Sequence, residues 1–206
     1  MKKAVMVFAI LSASGQIRAQ IREIPENKKI MLGFNIGLNY SNVMAPGKHS
    51  CDPKVNNGGG FRVGVIMSEE INKKMSISPK AELSFNDCNI VYSSPVSSES
   101  KYLVYPVNID LMIHLCYKLK KGKYEPYLLA GPNAKIPLVE SKTNTKVYGN
   151  NPDFAIDIGF GLEKAMDYFH LAPELRYSIG LLNVNRDPSL DRVYFHNITF
   201  VLNLKG

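Results

Sequence analysis

The sequence predicts an all-β chain, an eight-stranded antiparallel up-and-down transmembrane β-barrel with long extracellular loops and short periplasmic turns. Three observations lead there. First, large apolar residues alternate with polar ones, most plainly in Tyr102–Leu119. There Leu103, Tyr105, Val107, Ile109, Leu111, Ile113, Leu115, Tyr117 and Leu119 hold the odd positions, and Asn108, Asp110, His114 and Lys118 are among the even ones. A period of two is a strand signature, whereas a helix would scatter these residues and be broken by Pro106. Second, after the first residues no segment has the roughly 18 consecutive apolar residues of a membrane helix, while a tilted strand crosses a bilayer in about 9–11. Third, the connections between alternating stretches are long and short in turn, as in bacterial outer-membrane barrels.

Taken in order, the chain opens with MKKAVMVFAILSASGQIRA, a signal-peptide pattern: Lys2 and Lys3, an apolar core from Ala4 to Ala13, and Ala19 before the cut. Residues 1–19 are therefore expected to be removed, 20–30 to form a periplasmic N-terminal segment, and 31–206 to form the barrel. The eight stretches are 31–42, 60–71, 75–87, 102–119, 124–139, 154–164, 169–182 and 192–204. The long loops fall at 43–59, 88–101, 140–153 and 183–191. Pro79, Pro106, Pro126, Pro132, Pro137 and Pro173 lie inside the stretches, and a closed barrel has no free edge to hold them. Bulges or strand ends are expected there.

Alternation alone leaves two orientations open. A soluble lipocalin-like barrel turns its apolar face inward around a ligand. Glycine on the polar face argues for the reverse, since Gly33, Gly37, Gly64, Gly131, Gly159, Gly161 and Gly180 suit a narrow lumen with little room for side chains. Tyrosines toward the strand ends, such as Tyr40, Tyr102, Tyr105, Tyr117 and Tyr168, suit the two membrane interfaces.

With that orientation the lumen carries Arg62, Lys80, Glu82, Asp110, Glu125, Lys135, Asp157, Glu163, Glu174 and Arg176. Buried charges must pair, so these are expected to form an ionic network that plugs the barrel. Cys51 and Cys88 fall on the same side of the barrel, where a disulfide or two thiols would both fit. Cys116 reads as a small packing residue on the polar face.

With the strands placed, the chain resembles the PorT-like family of outer-membrane β-barrel proteins of Gram-negative bacteria. The resemblance is carried by MLGFNIGLNYSN, ISPKAELSF, YLVYPVNIDLMIHL, YEPYLLAGPNAKIPL, DFAIDIGFGLE and HLAPELRYSIGLLNVN. It implies an eight-stranded barrel in the outer membrane, in contact with lipid and lipopolysaccharide and inserted by the barrel-assembly machinery. The chain end lacks the terminal aromatic usual in such barrels, with Phe200 as a substitute. The family's named member is associated with protein secretion.

Candidate chemistry is sparse. Removing Lys2, Lys3 and Arg18 takes the formal charge from +7 to +4, and without clustered arginine and aromatics this points away from nucleic acid. No histidine–cysteine spacing marks a metal site, the Gly58–Gly60 run lacks the strand-to-helix context of a phosphate cradle, and no cofactor is expected. A lipid A-modifying hydrolase would need serine, histidine and carboxylate in reach. His114 and Asp110 are four residues apart, about 13 Å along a strand, and His170 and Glu174 have the same spacing; His196 falls on the apolar-parity face. The reading is therefore a non-enzymatic barrel whose loops meet a protein or glycan partner. The lipid A hydrolase and the soluble ligand-binding barrel are the alternatives.

Overall fold

The computed structural model describes residues 30–45, 53–94, 97–120, 122–139, 146–148, 152–184 and 192–206. Twelve strands are found among them: β1 (Ile30–Met44), β2 (Pro53–Asn56), β3 (Gly58–Glu70), β4 (Met75–Asn86), β5 (Asn89–Ser94), β6 (Ser97–Val104), β7 (Val107–Lys118), β8 (Glu125–Pro137), β9 (Lys146–Tyr148), β10 (Asp153–Ala165), β11 (His170–Gly180) and β12 (Tyr194–Lys205). Eight of them close a barrel in the order β1-β12-β11-β10-β8-β7-β4-β3. Every neighbouring pair is antiparallel, and the barrel closes where Gly33 opposes Lys205 and Met44 opposes Tyr194. No helix among the described residues is long and apolar enough to cross a membrane.

The apolar residues face outward. Leu111 and Ile113 are 46% and 51% exposed, while Asp110 and His114 on either side of them are completely buried. The same alternation runs through β1, β10 and β12. This arrangement removes the soluble lipocalin-like alternative, which needs the opposite faces.

The remaining strands form a second sheet, β2-β5-β6-β9, at the long-loop end. Segments expected to be plain loops therefore contain strands. The Tyr102–Leu119 stretch is also not one strand. It breaks at Tyr105 and Pro106 into β6 and β7. The β4–β7 register continues unshifted into β5–β6, since Phe85 opposes Val107 and Asn89 opposes Leu103. What changes is direction. Tyr105 has a φ of 45° and turns its ring inward, fully buried, instead of joining the lipid-facing row. Asn86 holds the break, donating from Nδ2 to the Tyr105 carbonyl (2.7 Å) and from its backbone N–H to the Pro106 carbonyl (2.9 Å).

Pro126 and Pro137 sit at or beside the ends of β8, as expected. Pro79, Pro132 and Pro173 do not lie at bulges or ends. Each occupies a strand interior, where the ladder to one neighbour skips two residue pairs and resumes in the same register. The missing proline N–H costs a local gap and no slip. At Pro79 the gap is mended, because the Ser78 hydroxyl donates to the Met67 carbonyl at 3.0 Å.

Candidate functional site

The inward faces of the eight strands meet in a lumen filled by polar side chains. At its centre Glu82 on β4 accepts from three strands. Arg62 Nη1 lies 3.0 Å away, Arg176 Nη2 lies 2.7 Å from both carboxylate oxygens, and Asn35 Nδ2 lies 3.0 Å away. Arg62 also reaches Asp110 at 3.3 Å, and Lys135 faces Asp110 at 3.6 Å. Lys80 pairs with Glu174 at 2.6 Å, and the Tyr127 hydroxyl donates to the other Glu174 oxygen at 2.7 Å. These ions are buried, so each must find its counter-ion inside the barrel.

His114 is bound not to Asp110 but to Asp157, its Nε2 3.0 Å from the carboxylate. Ser178 donates to the same carboxylate, as does Asn133. A hydrolytic triad needs histidine between serine and carboxylate, so that the imidazole takes the serine proton. Here the carboxylate stands in the middle, and the group is sealed from substrate. His170 pairs with Glu163 (2.8 Å), not with Glu174. His196 lies outside the lumen, its Nδ1 3.2 Å from the Tyr177 hydroxyl with the rings stacked at 5.9 Å. Among the described residues, no three of histidine, cysteine, aspartate and glutamate converge as metal ligands would.

At the short-turn end the charges form a separate group. Lys118 lies 3.0 Å from Glu70 and 2.8 Å from Glu125, and Lys205 lies 2.9 Å from Glu163. Glu125 thus belongs to this rim rather than to the central network. Beside it, the gap among Ser76, Ser78, Tyr127 and Glu174 has about 10 Å³ of free space, room for about one water molecule.

At the long-loop end the polar fill gives way to an amide layer and then to an apolar cap. Asn86 accepts from Ser41 (3.1 Å), Ser84 (3.2 Å) and Asn197 (3.3 Å), and donates to Asn108 (2.8 Å). Above it Val43, Cys88, Ile90, Val104, Tyr105, Val184, Val193 and Phe195 pack into one buried cluster. The Tyr105 and Phe195 rings lie 5.2 Å apart. Lys135 marks the boundary, its Nζ 5.8 Å from the Phe195 ring centroid. Cys88 is part of the cap, its thiol donating to the Val104 carbonyl at 3.2 Å. Burial pushes this thiol up to about 12. Cys51, which would pair with Cys88 in the disulfide alternative, lies outside the described residues.

All ten lumen charges named from parity are thus placed inward, and most are joined to one another. Parity overlooked Glu70 and Lys205, each at an end of its strand, and Tyr127, an aromatic that points into the lumen. Glu70 shares the even parity of Arg62 and Ser68, and Lys205 the odd parity of Asn197 and Asn203, so the signal was there.

A closed eight-stranded barrel, apolar outside and charged within, defines an outer-membrane β-barrel protein. The chain belongs to the family of outer membrane protein beta-barrel domains, whose description matches residues 18–186. No curated protein matches the sequence. Among solved structures it is similar to Neisserial surface protein A (12% identity, 88% of this chain and 100% of that one, TM-score 0.49). It is also similar to Ail, the attachment invasion locus protein of Yersinia pestis (13%, 85% and 98%, TM-score 0.44). A third is OprG from Pseudomonas aeruginosa (12%, 86% and 92%, TM-score 0.42). None of these likenesses bears on what this chain binds.

Proposed function

We propose that this barrel is a non-enzymatic, non-conducting protein of PorT-like type whose work is done at its outer end. The observation that carries the reading is the lumen. It is filled by paired charges and then by a layer of amides, and covered by an apolar cap, so it offers neither a water path nor a substrate cleft.

Beyond the cap stands the second sheet. Its inner face sets Val55, Ile90 and Tyr102 against the cap. Its other face carries Lys54, Val91 and Lys101 in one cross-strand row, with both lysines exposed. A paired sheet anchored on a packed core is a firmer platform for a protein or glycan partner than a free loop would be. The sequence pieces that resemble the PorT-like family support an accessory role in secretion for that platform. Export through a signal peptide at residues 1–19 belongs to the same proposal.

The test has two parts. Purified barrel in a planar bilayer is expected to give no discrete channels. Cells carrying Lys54→Ser/Val91→Ser/Lys101→Ser are expected to match cells lacking the gene in their secreted-protein profile, while the variant remains folded in the outer membrane. A wild-type profile from that variant, or steady conductance from the native barrel, sinks the reading.

A further inference from the structure

The short-turn end of the barrel, periplasmic by the rule for bacterial barrels, is strongly basic on its outer rim. The turn at 71–74 lies beside the start of the β7–β8 turn, since Lys118 N donates to the Lys74 carbonyl at 2.8 Å. Lys73, Lys74, Lys120 and Lys123 on these turns are all exposed. Lys164 on β10 shares the outward parity of Phe160 and Leu162, and its Nζ lies 5.4 Å from the Tyr124 ring centroid.

The carboxylates near this rim do not offset the lysines. Glu70 and Glu125 are held by Lys118, and Glu163 by Lys205 and His170, all on the lumen side. Glu69 is half-buried and engaged. Asp167 is the exposed acid of the neighbouring turn.

A second feature lies on the strands that carry Lys120, Lys123 and Lys164. On the outer wall Ala130 opposes Leu115 on one side and Ile158 on the other. One row nearer the turn, Tyr117, Leu128 and Phe160 stand level. The small side chain between large ones lies in an apolar groove of about 790 Å³ that crosses β7, β8, β10, β11 and β12, with Tyr117, Leu128 and Phe160 on its side nearer the short turns.

We infer that Lys120, Lys123 and Lys164, with the groove over Ala130, form a seat for one anionic phospholipid of the inner leaflet, its phosphate on the lysines and an acyl chain in the groove. The ammonium groups sit where the apolar band ends, the depth of a headgroup, with Tyr124 as an interfacial ring. An acidic protein would satisfy the lysines and leave the groove unused. A zwitterionic lipid would bring its own cation among them. Lysines at such a surface attract anionic lipid additively.

The test uses full-length barrel in zwitterionic micelles, titrated with palmitoyl-oleoyl phosphatidylglycerol or phosphatidylethanolamine and read by native mass spectrometry. One phosphatidylglycerol is expected to bind in preference to phosphatidylethanolamine. Lys120→Gln/Lys123→Gln/Lys164→Gln is expected to weaken it about a hundredfold, at about fivefold per lysine. Ala130→Phe fills the groove and should weaken the lipid while leaving the lysines intact. Lys54→Gln/Lys101→Gln at the opposite end should change nothing.

Unchanged phosphatidylglycerol binding by the triple variant overturns the proposal, as does an equal loss in the opposite-end variant. Displacement by millimolar inorganic phosphate with no effect of Ala130→Phe would mark a bare anion site. Displacement by polyglutamate with the same insensitivity would mark a protein surface. Either overturns the lipid assignment. Heat-modifiable gel migration checks that each variant is folded, and Lys123→Gln and Ala130→Phe singly carry the test if the triple variant is not.

Discussion

Arg176 on β11 grips Glu82 on β4 across the lumen, one guanidinium nitrogen 2.7 Å from each carboxylate oxygen. The two residues are 94 apart in sequence and lie on non-adjacent strands. Their contact exists only because the sheet closes. It ties together opposite walls of the barrel, which hydrogen bonding between neighbouring strands cannot do.

Removing one partner is therefore expected to cost more than removing both. Arg176→Met leaves Glu82 buried with one guanidinium fewer, at a cost of about 3–5 kcal/mol. Arg176→Met/Glu82→Met removes the surplus negative charge and should recover a large part of that. The chain has no tryptophan, so the folded fraction is best followed against urea by unheated gel migration. Equal loss in the single and double variants would mean the pair is not coupled.

Tyr105 sets a different test. A non-glycine residue at a φ of 45° is strained by about 1–3 kcal/mol, and burial against Phe195 compensates for that strain. Tyr105→Ala loses the packing and keeps the strain, at about 3–5 kcal/mol. Tyr105→Gly loses the same packing but relieves the strain, so it should be the more stable of the two by about 1 kcal/mol. Urea titration of both variants decides it, and a glycine variant no better than alanine contradicts the argument.

These two sites mark how far the sequence could be read. Ile113 and His114 were assignable to opposite faces because a strand's period is two and a slip by one residue would reverse the whole row. That gave the barrel, its eight strands and the inward set of charges. The Arg176–Glu82 pairing was not readable, since parity fixes a face but not which residue stands across the lumen. Tyr105 broke the alternation because its backbone follows a tertiary contact with Phe195, not a local preference. The β5–β6 hairpin was hidden by its serines, which carry no alternation of size. The phosphatidylglycerol groove was hidden for a related reason: Ala130 keeps the outward parity, and only its neighbours' bulk makes its smallness a trough.

Gly161 tests crowding inside the lumen. A β-carbon there would run into the Tyr127 ring, whereas at Gly131 it would meet the backbone carbonyl of Ile113 on the next strand. The first clash can be relieved by a neighbour's substitution and the second cannot. Gly161→Ala is expected to destabilise by about 1–3 kcal/mol, and much less in a Tyr127→Ala background. Gly131→Ala should be equally harmful in both. Double-mutant cycles by urea titration measure this, and an unchanged cost for Gly161→Ala without the Tyr127 ring would refute the steric account.

Cys88 reports on the cap from the side of its chemistry. Its thiol is displaced to about 12 by burial, and only the thiolate attacks an alkylating reagent. At pH 8 the folded protein then holds about one thiolate in ten thousand, against roughly one in four at the ordinary thiol value. In Cys51→Ser/Cys116→Ser barrel, maleimide labelling of Cys88 should be at least about a hundredfold slower folded than in denaturant. The rate should climb as pH rises toward 12, without levelling near 9. The same displacement bears on stability, because the folded state keeps its proton where the unfolded chain has lost it. The contribution is whole below the ordinary thiol range and fades as pH rises through it toward 12. Tyr105→Ala, which thins the cover over Cys88, should speed labelling and move its pH dependence down. Rapid labelling of the intact barrel at pH 8 would mean that the outer mouth opens to water, and the sealed lumen would have to be abandoned with it.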